Sequence, residues 1–163
     1  MPSFSTRRSV AFTPNQMFDL VADIEKYPQF VPLCQSLDVA QRFRDSRDRL
    51  VLVARMVCGY QSIRESFTSR VTLDRERTCI VVNYVDGPFR YLENQWRFHP
   101  TPNGCEVAFD ISYEFRSRTL ALLVGGLFDK AFRRFTSAFE IRASEIYTKP
   151  TQTRIVAASL VSE

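Results

Sequence analysis

Between Thr119 and about Tyr147, apolar residues recur at steps of three and four: Leu120, Leu123, Val124, Leu127, Phe128, Ala131, Phe135, Ala138 and Phe139. This is the stripe of an amphipathic helix, with Asp129, Lys130, Arg133, Arg134, Thr136, Ser137 and Glu140 on its other side. At ~1.5 Å per residue such a helix runs roughly 40 Å, longer than the bare core helix of a small domain needs. Lys149-Pro150 supplies a stop. Gly125-Gly126 interrupts the pattern, at a cost of about 1 kcal/mol per glycine relative to alanine. Either the first turns are loose or kinked there, or side chains are absent so that another group can approach the backbone.

Elsewhere the period is two. Phe4, Thr6, Arg8, Val10 and Phe12 alternate with small or polar residues and predict a first strand. Thr13-Pro14 then starts a short helix, as a capping residue followed by a proline suited to the first turn. Met17, Phe18, Leu20, Val21 and Ile24 form its buried side. The stretch from Tyr27 to Cys34 is strongly apolar, yet Pro28 and Pro32 exclude a regular helix or a central strand. It reads either as a lid over something hydrophobic or as a packed connector completing the core. Further strands follow around Leu37, Val39 and Phe43, then at Leu50–Cys58, Ser62–Leu73, Thr78–Val85, Phe89–Phe98 and Val107–Phe115. Gly59 breaks or bends the second of these, and Asp86-Gly87 is a hairpin signal. From Thr148 to Glu163 there is no clear period, and a mobile tail is expected.

Successive strands with short turns make an antiparallel sheet, and such a sheet needs one face covered. The long final helix is the only large element available. A twisted sheet and a cylinder do not match everywhere, so space arises between them. In a plain α+β domain side chains fill that space; in a carrier it holds a ligand.

Composition narrows the choices. The chain of 163 residues is 45% hydrophobic and 25% charged, enough for one domain with a sizeable core. A net charge of +4 is too small to argue nucleic-acid binding by itself. The 22 basic residues are 19 Arg and 3 Lys. Cys34, Cys58, Cys79 and Cys105 are scattered without a C-x-x-C pair, so neither metal site nor redox motif is expected and a reducing compartment is the default. No apolar run resembles a secretory signal or a membrane span.

Catalytic chemistry finds little support. His99 is the single histidine and is expected in an exposed turn beside Pro100. No Gly-rich phosphate loop, nucleophile elbow or carboxylate–histidine cluster is visible. Glu65 and Asp110 read as solvent-facing, whereas Glu93 and Asn94 interrupt an apolar neighbourhood and are the better candidates for a polar contact inside a pocket. Arg116, Arg118, Arg133 and Arg134 read as a solvated face, with a basic patch as the alternative. The 14 Phe, 6 Tyr and 1 Trp are spread over sheet, lid and helix, which suits a pocket for a large apolar ligand and equally a core.

Asp23-Ile24-Glu25-Lys26-Tyr27-Pro28-Gln29-Phe30-Val31-Pro32, with Asp86-Gly87-Pro88-Phe89-Arg90 and Trp96-Arg97-Phe98, resembles the coenzyme Q-binding START-like family, itself related to polyketide cyclases and aromatases. Ser66-Phe67-Thr68-Ser69-Arg70-Val71 and Phe139-Glu140-Ile141-Arg142-Ala143 add to the resemblance, which covers about residues 3–148. It implies a helix-grip fold: an antiparallel sheet curled around a long C-terminal helix with an apolar cavity between. Residues 1–148 would form that domain and residues 149–163 a flexible tail.

The resemblance implies non-catalytic binding and delivery of coenzyme Q or another polyprenyl lipid, with transient contact to a membrane surface and without cofactor, metal or DNA. It implies ligand contacts from the lid (Tyr27, Phe30, Val31, Pro32, Leu33), the hairpin (Gly87, Pro88, Phe89), Trp96, and the helix (Leu120, Val124, Leu127, Phe128). A cytoplasmic location follows, with a peripheral position at the inner face of the membrane as a variant. The family also includes a ribosome-association toxin, which implies the large ribosomal subunit as an alternative partner. Its cyclase relatives imply an enzyme as a third reading. Leu33 stands where the family often has Trp before the lid cysteine, and Asn94-Gln95 where it often has a small residue before the tryptophan. Cavity shape and ligand preference are therefore not carried over.

Overall fold

The computed structural model describes residues 3–148, and the tail expected from residue 149 onward lies outside them. Seven strands form one antiparallel sheet in the order β1-β7-β6-β5-β4-β3-β2. They are β1 (Ser3–Val10), β2 (Cys34–Arg44), β3 (Leu50–Tyr60), β4 (Ile63–Asp74), β5 (Cys79–Asp86), β6 (Phe89–Thr101) and β7 (Gly104–Phe115). Sequential hairpins account for every pairing except β1 with β7, whose register runs from Ser3 opposite Ser112 to Val10 opposite Cys105. The long helix α2 (Arg118–Ala143) packs against β7 and β1 and ends in a π-helical turn, Ser144–Thr148. The antiparallel sheet covered by the long final helix, expected from the pattern, and the α+β helix-grip that the resemblance implied are the observed architecture.

Local chemistry explains the element boundaries. Helix α1 (Pro14–Ala22) begins with a complete capping box: the Thr13 hydroxyl accepts from the Gln16 N–H, and the Gln16 side chain accepts from the Thr13 N–H. Its Met17, Phe18, Leu20 and Val21 are buried. The segment after it is more regular than the two prolines suggested, since Ile24–Gln29 forms a 3₁₀ helix with Pro28 inside. A 3₁₀ turn of this length tolerates the proline because few of its N–H groups need intrahelical partners. Strand β6 also runs past the expected turn, through His99 and Pro100 to Thr101. Pairing with β5 stops at Arg97, so the missing Pro100 N–H leaves no broken ladder on that side. His99 is exposed on this strand, opposite Glu106, rather than in a turn.

Helix α2 corrects the predicted stripe in three places. Leu123 is 70% exposed, as is its neighbour Leu122 at 88%. Phe132, absent from the stripe, is buried, and Thr136, assigned to the solvent side, is buried too. The buried face runs Val124, Phe128, Ala131, Phe132, Thr136, Phe139 and Ala143. The helix continues unbroken through Gly125 and Gly126, and a Cβ placed on either would meet no atom within 4 Å. No group of the described chain approaches the backbone there.

Gly87 is the opposite case. Its φ is +145°, and an added Cβ would lie 2.6 Å from Phe67 Cβ and 2.9 Å from Phe67 Cα. Gly87→Ala is expected to lower the unfolding free energy by at least ~2 kcal/mol, through left-handed strain plus a clash with backbone. Gly126→Ala in the open helix interior should raise it by roughly 0.5–1 kcal/mol. Urea denaturation of both variants checks the pair; a destabilised Gly126→Ala protein would show that the exposed helix face packs against something.

Candidate functional site

Between the concave face of the sheet and α2 lies a cavity of about 90 Å³. Alternate inward-facing residues build the sheet wall: Leu37 of β2, Ala54, Met56 and Cys58 of β3, and Phe67, Ser69 and Val71 of β4. Ile80 and Val82 of β5, Leu92, Asn94 and Trp96 of β6, and Ile111 of β7 continue it. The helix wall is Phe128, Ala131, Phe132, Phe135 and Phe139, and the lid adds Ile24, Tyr27, Pro32 and Leu33. The period of two along the strands and of three and four along α2 puts these residues on one inner surface. Small side chains at Ala54, Ser69 and Ala131 leave the hollow that surrounding aromatic rings do not fill.

Two aromatic clusters close its ends. Phe139 receives the rings of Tyr27, Phe30 and Trp96 at centroid distances of 5.2, 5.0 and 5.0 Å, all edge-on. Phe89 collects Phe67, Tyr84, Tyr113, Phe115 and Phe128 at 5.6, 5.7, 6.0, 4.8 and 5.9 Å. The β5–β6 ladder ends at Asn83–Glu93 before the hairpin, which lets Phe89 drop inward. The Tyr84 hydroxyl enters the gap and accepts from the Phe89 N–H at 3.1 Å.

The sequence-derived site residues therefore divide. Tyr27, Pro32, Leu33, Trp96 and Phe128 line the cavity. Phe30 and Val31 stand behind the lid, Phe30 against Phe139 and Val31 in the core. Phe89 is fully buried in its aromatic cluster, and Gly87 and Pro88 form the turn that positions it. Val124 is buried without reaching the cavity, because it lies a turn before Phe128. Leu120 and Leu127 are only partly buried and also off the wall. Of the two polar candidates, Asn94 lines the cavity, its amide donating to the Asp110 carbonyl at 2.9 Å, whereas Glu93 faces solvent. Strand alternation alone separates them. The inward residues of β3 and β4 went unassigned as site residues although their periodicity was plain, because alternation marks a face and cannot mark a gap in its packing.

The lid is fixed by contacts at its rim. The Tyr27 hydroxyl donates to the Val21 carbonyl. Arg142 donates to Gln29 Oε1 at 2.7 Å and places its guanidinium 5.3 Å from the Phe30 ring centroid. Glu25 pairs with Arg42 of β2. Leu33 ends the lid at φ 66°, a left-handed conformation costing roughly 1–2 kcal/mol for a residue with a branched side chain. Its carbonyl accepts from the Gly59 N–H at 2.9 Å, tying the lid to the end of β3.

Electrostatically the site is neutral. No Lys, Arg, His, Asp or Glu lines the cavity. Burial, with a smaller push from Cys34, takes the Cys58 thiol up to about 12, and burial takes Cys34 up to about 11. Burial, reinforced by Cys34 and Asp23, drives the Tyr27 phenol far above its ordinary range. All three groups are protonated at neutral pH and poor nucleophiles. Among the described residues no cluster of His, Cys, Asp and Glu has the arrangement of a metal site.

An antiparallel sheet gripping one helix around an apolar cavity defines a START-like domain. The comparison with known families agrees: residues 10–140 match the polyketide cyclase / dehydrase and lipid transport family, and the chain belongs to it. The ribosome association toxin RatA of Escherichia coli is 31% identical over 149 residues, spanning 91% of this chain and 90% of that protein. The mitochondrial coenzyme Q-binding protein COQ10 homolog B of Xenopus laevis is 29% identical, spanning 96% of this chain and 64% of that protein. A START superfamily protein from Mycobacterium smegmatis has the same fold, with a TM-score of 0.72 at 20% identity over 88% of this chain and 98% of its own.

The raised Cys58 pKa gives a pH dependence with a defined sign. The folded protein holds this proton more tightly than the unfolded chain, whose thiols titrate near ~8.5. Stability is therefore unaffected below that value and falls as pH rises from there toward 12, by up to ~1.4 kcal/mol per pH unit for a fully buried thiol. Cys58→Ala removes this share, so its urea midpoint should decline less steeply than that of the parent between about pH 8 and pH 10.5. Equal slopes would show that water reaches the thiol.

Proposed function

We propose that the protein is a non-catalytic carrier that takes up a polyprenyl quinone, coenzyme Q or a lipid like it, in the cavity under the lid, and delivers it to another protein. The observation that carries this reading is the wall: an apolar, largely aromatic surface without a charged side chain, whose ionisable groups are held protonated. Affinity then comes from desolvation, at about 0.8 kcal/mol per buried CH₂. The absence of a charged acid/base pair from that wall argues against the cyclase-type enzyme that the family name also covers. The name of the COQ10 relative points to the same ligand class.

A cavity of about 90 Å³ is smaller than the roughly 300 Å³ at which drug-sized pockets begin. Loading a prenyl chain therefore requires the lid to move outward. Its rim contacts suit that motion. An exposed ion pair and a cation–π contact contribute about 1 kcal/mol or less each. Membrane exchange has a surface to use on α2, where Leu122 and Leu123 stand in solvent and Arg118 lies one turn before Leu122. Among the described residues no helix is long and apolar enough to cross a membrane, which fits transient contact at its surface.

A second reading rests on the RatA relatives: an arginine-rich surface binding the large ribosomal subunit, with 19 of the 22 basic residues arginine. Salt-sensitive co-sedimentation with that subunit would support it. Organic extraction and mass spectrometry of purified protein test the carrier. A prenyl quinone in near-stoichiometric amount is expected; protein that carries none and extracts none from quinone-loaded vesicles would overturn the reading.

Two helix variants then place the ligand. Ala131→Leu puts an isobutyl group into the hollow, so stability should hold or rise while bound quinone falls at least ~10-fold, since the volume it needs is taken. Val124→Trp, in closed core, should instead cost about 1–3 kcal/mol. An Ala131→Leu protein with its full lipid load would move the ligand elsewhere.

A further inference from the structure

One atom of the cavity wall has no partner. Ser69 of β4 is 7% exposed, lines the cavity, and its Oγ makes no hydrogen bond. In the sheet it lies between Ala54 of β3 and Tyr84 of β5, with Phe67 and Val71 as its inward-facing neighbours along the strand. Two of these are aliphatic and two are aromatic rings, and the Tyr84 hydroxyl accepts from the Phe89 N–H and makes no bond to Ser69 Oγ. The Asn94 amide on the same wall donates to the Asp110 carbonyl rather than to Ser69, and Ser69 Oγ has no partner among these neighbours. A buried hydroxyl without a partner is destabilising, and an alanine or valine would serve a purely structural wall better.

The geometry points to Ser69 Oγ as the polar anchor of the ligand: it donates a hydrogen bond to a neutral oxygen acceptor, of the carbonyl kind found on a quinone, set among apolar contacts. This rests on the carrier reading above and specifies the ligand class. A hydrocarbon of the same size leaves the hydroxyl unpaired. A fatty carboxylate brings a charge into a wall without a cation and is rejected by its desolvation cost. What the cavity selects is an uncharged lipid bearing an oxygen acceptor near its bulky end.

The test uses the single tryptophan, Trp96, which lines the cavity and reports occupancy by fluorescence. Decylubiquinone and decylbenzene are titrated into the parent protein and into Ser69→Ala and Ser69→Thr, with urea denaturation of each. Ser69→Ala should be as stable as the parent or more so. It should bind decylubiquinone roughly five- to tenfold more weakly, the worth of one neutral hydrogen bond in a dry site, with decylbenzene unchanged. Ser69→Thr, which keeps the hydroxyl, should retain the preference for the quinone. If Ser69→Ala weakens both probes equally, or neither, the anchor is overturned while the carrier stands. If the parent protein binds neither probe, the carrier reading fails and the anchor with it.

Discussion

The structure depends on a mismatch of shapes. A sheet with strong twist is concave, and a helix is a cylinder, so α2 packs closely through Phe128 and Phe139 and leaves a hollow beside Ala131 between them. Aromatic rings make the close contacts. On one side of the hollow Phe139 packs on the lid and Trp96, and on the other Phe128 packs on Phe89 and Phe115. Edge-on pairs of this kind contribute about 0.5–1.5 kcal/mol each beyond the area they bury. Because the two clusters fix the spacing between helix and sheet, the residues between them do not have to fill it. Ala54, Ser69 and Ala131 occupy the gap with small side chains, and the cavity follows.

The lid inherits its properties from the same arrangement. Its two rings are held by Phe139, but its outer contacts are polar and solvent-facing: Arg142 with Gln29, Glu25 with Arg42. Leu33 is held at an unfavourable φ by one backbone hydrogen bond to Gly59. A segment with aromatic contact on one side and strained or exposed contacts on the other opens at a free energy well below that of global unfolding. The hairpin end has no such weakness. Gly87 and Phe67 approach backbone to backbone, and Phe89 is fully enclosed. Motion, where the carrier reading needs it, is therefore confined to the end that carries the lid.

Most of the architecture was legible in the residue pattern, because alternation in strands and the three-four step in helices are direct consequences of backbone geometry. The strand series, the capped first helix and the gripping helix could all be read this way. What the pattern could not resolve was rotation and depth. Leu123 matches a helical period as well as Phe132 does, and only the curvature of the sheet decides that Phe132 goes inward. Thr136 is polar by type, yet packs inward on the same curve. Within the site, motif residues such as Gly87, Pro88 and Phe89 mark scaffold next to the cavity, whereas part of the wall comes from unremarkable alternating positions of β3 such as Ala54, Met56 and Cys58. A motif records where substitution is restricted sterically. A void makes no such demand, so Ala54 carries no signature in the chain, and the motif around Ser69 does not reveal that Ser69 borders a cavity.

The chemistry of the wall is what the carrier reading rests on among the functional classes that one fold can host. The same helix-grip serves in a family described as both cyclase and lipid transport, so the fold alone cannot choose. An enzyme of that kind needs a group that exchanges a proton at neutral pH. Here each ionisable side chain at the cavity is moved away from that range by burial: the Tyr27 phenol and the Cys58 thiol both keep their protons. Those shifts come from dry surroundings, and dry surroundings are also what gives an apolar tail its affinity. The surroundings that hold these protons in place are thus the ones the proposed carrier requires, and the proposed anchor at Ser69 draws on them as well. On the carrier reading, one neutral hydrogen bond in so apolar a cavity is what distinguishes a quinone from a hydrocarbon.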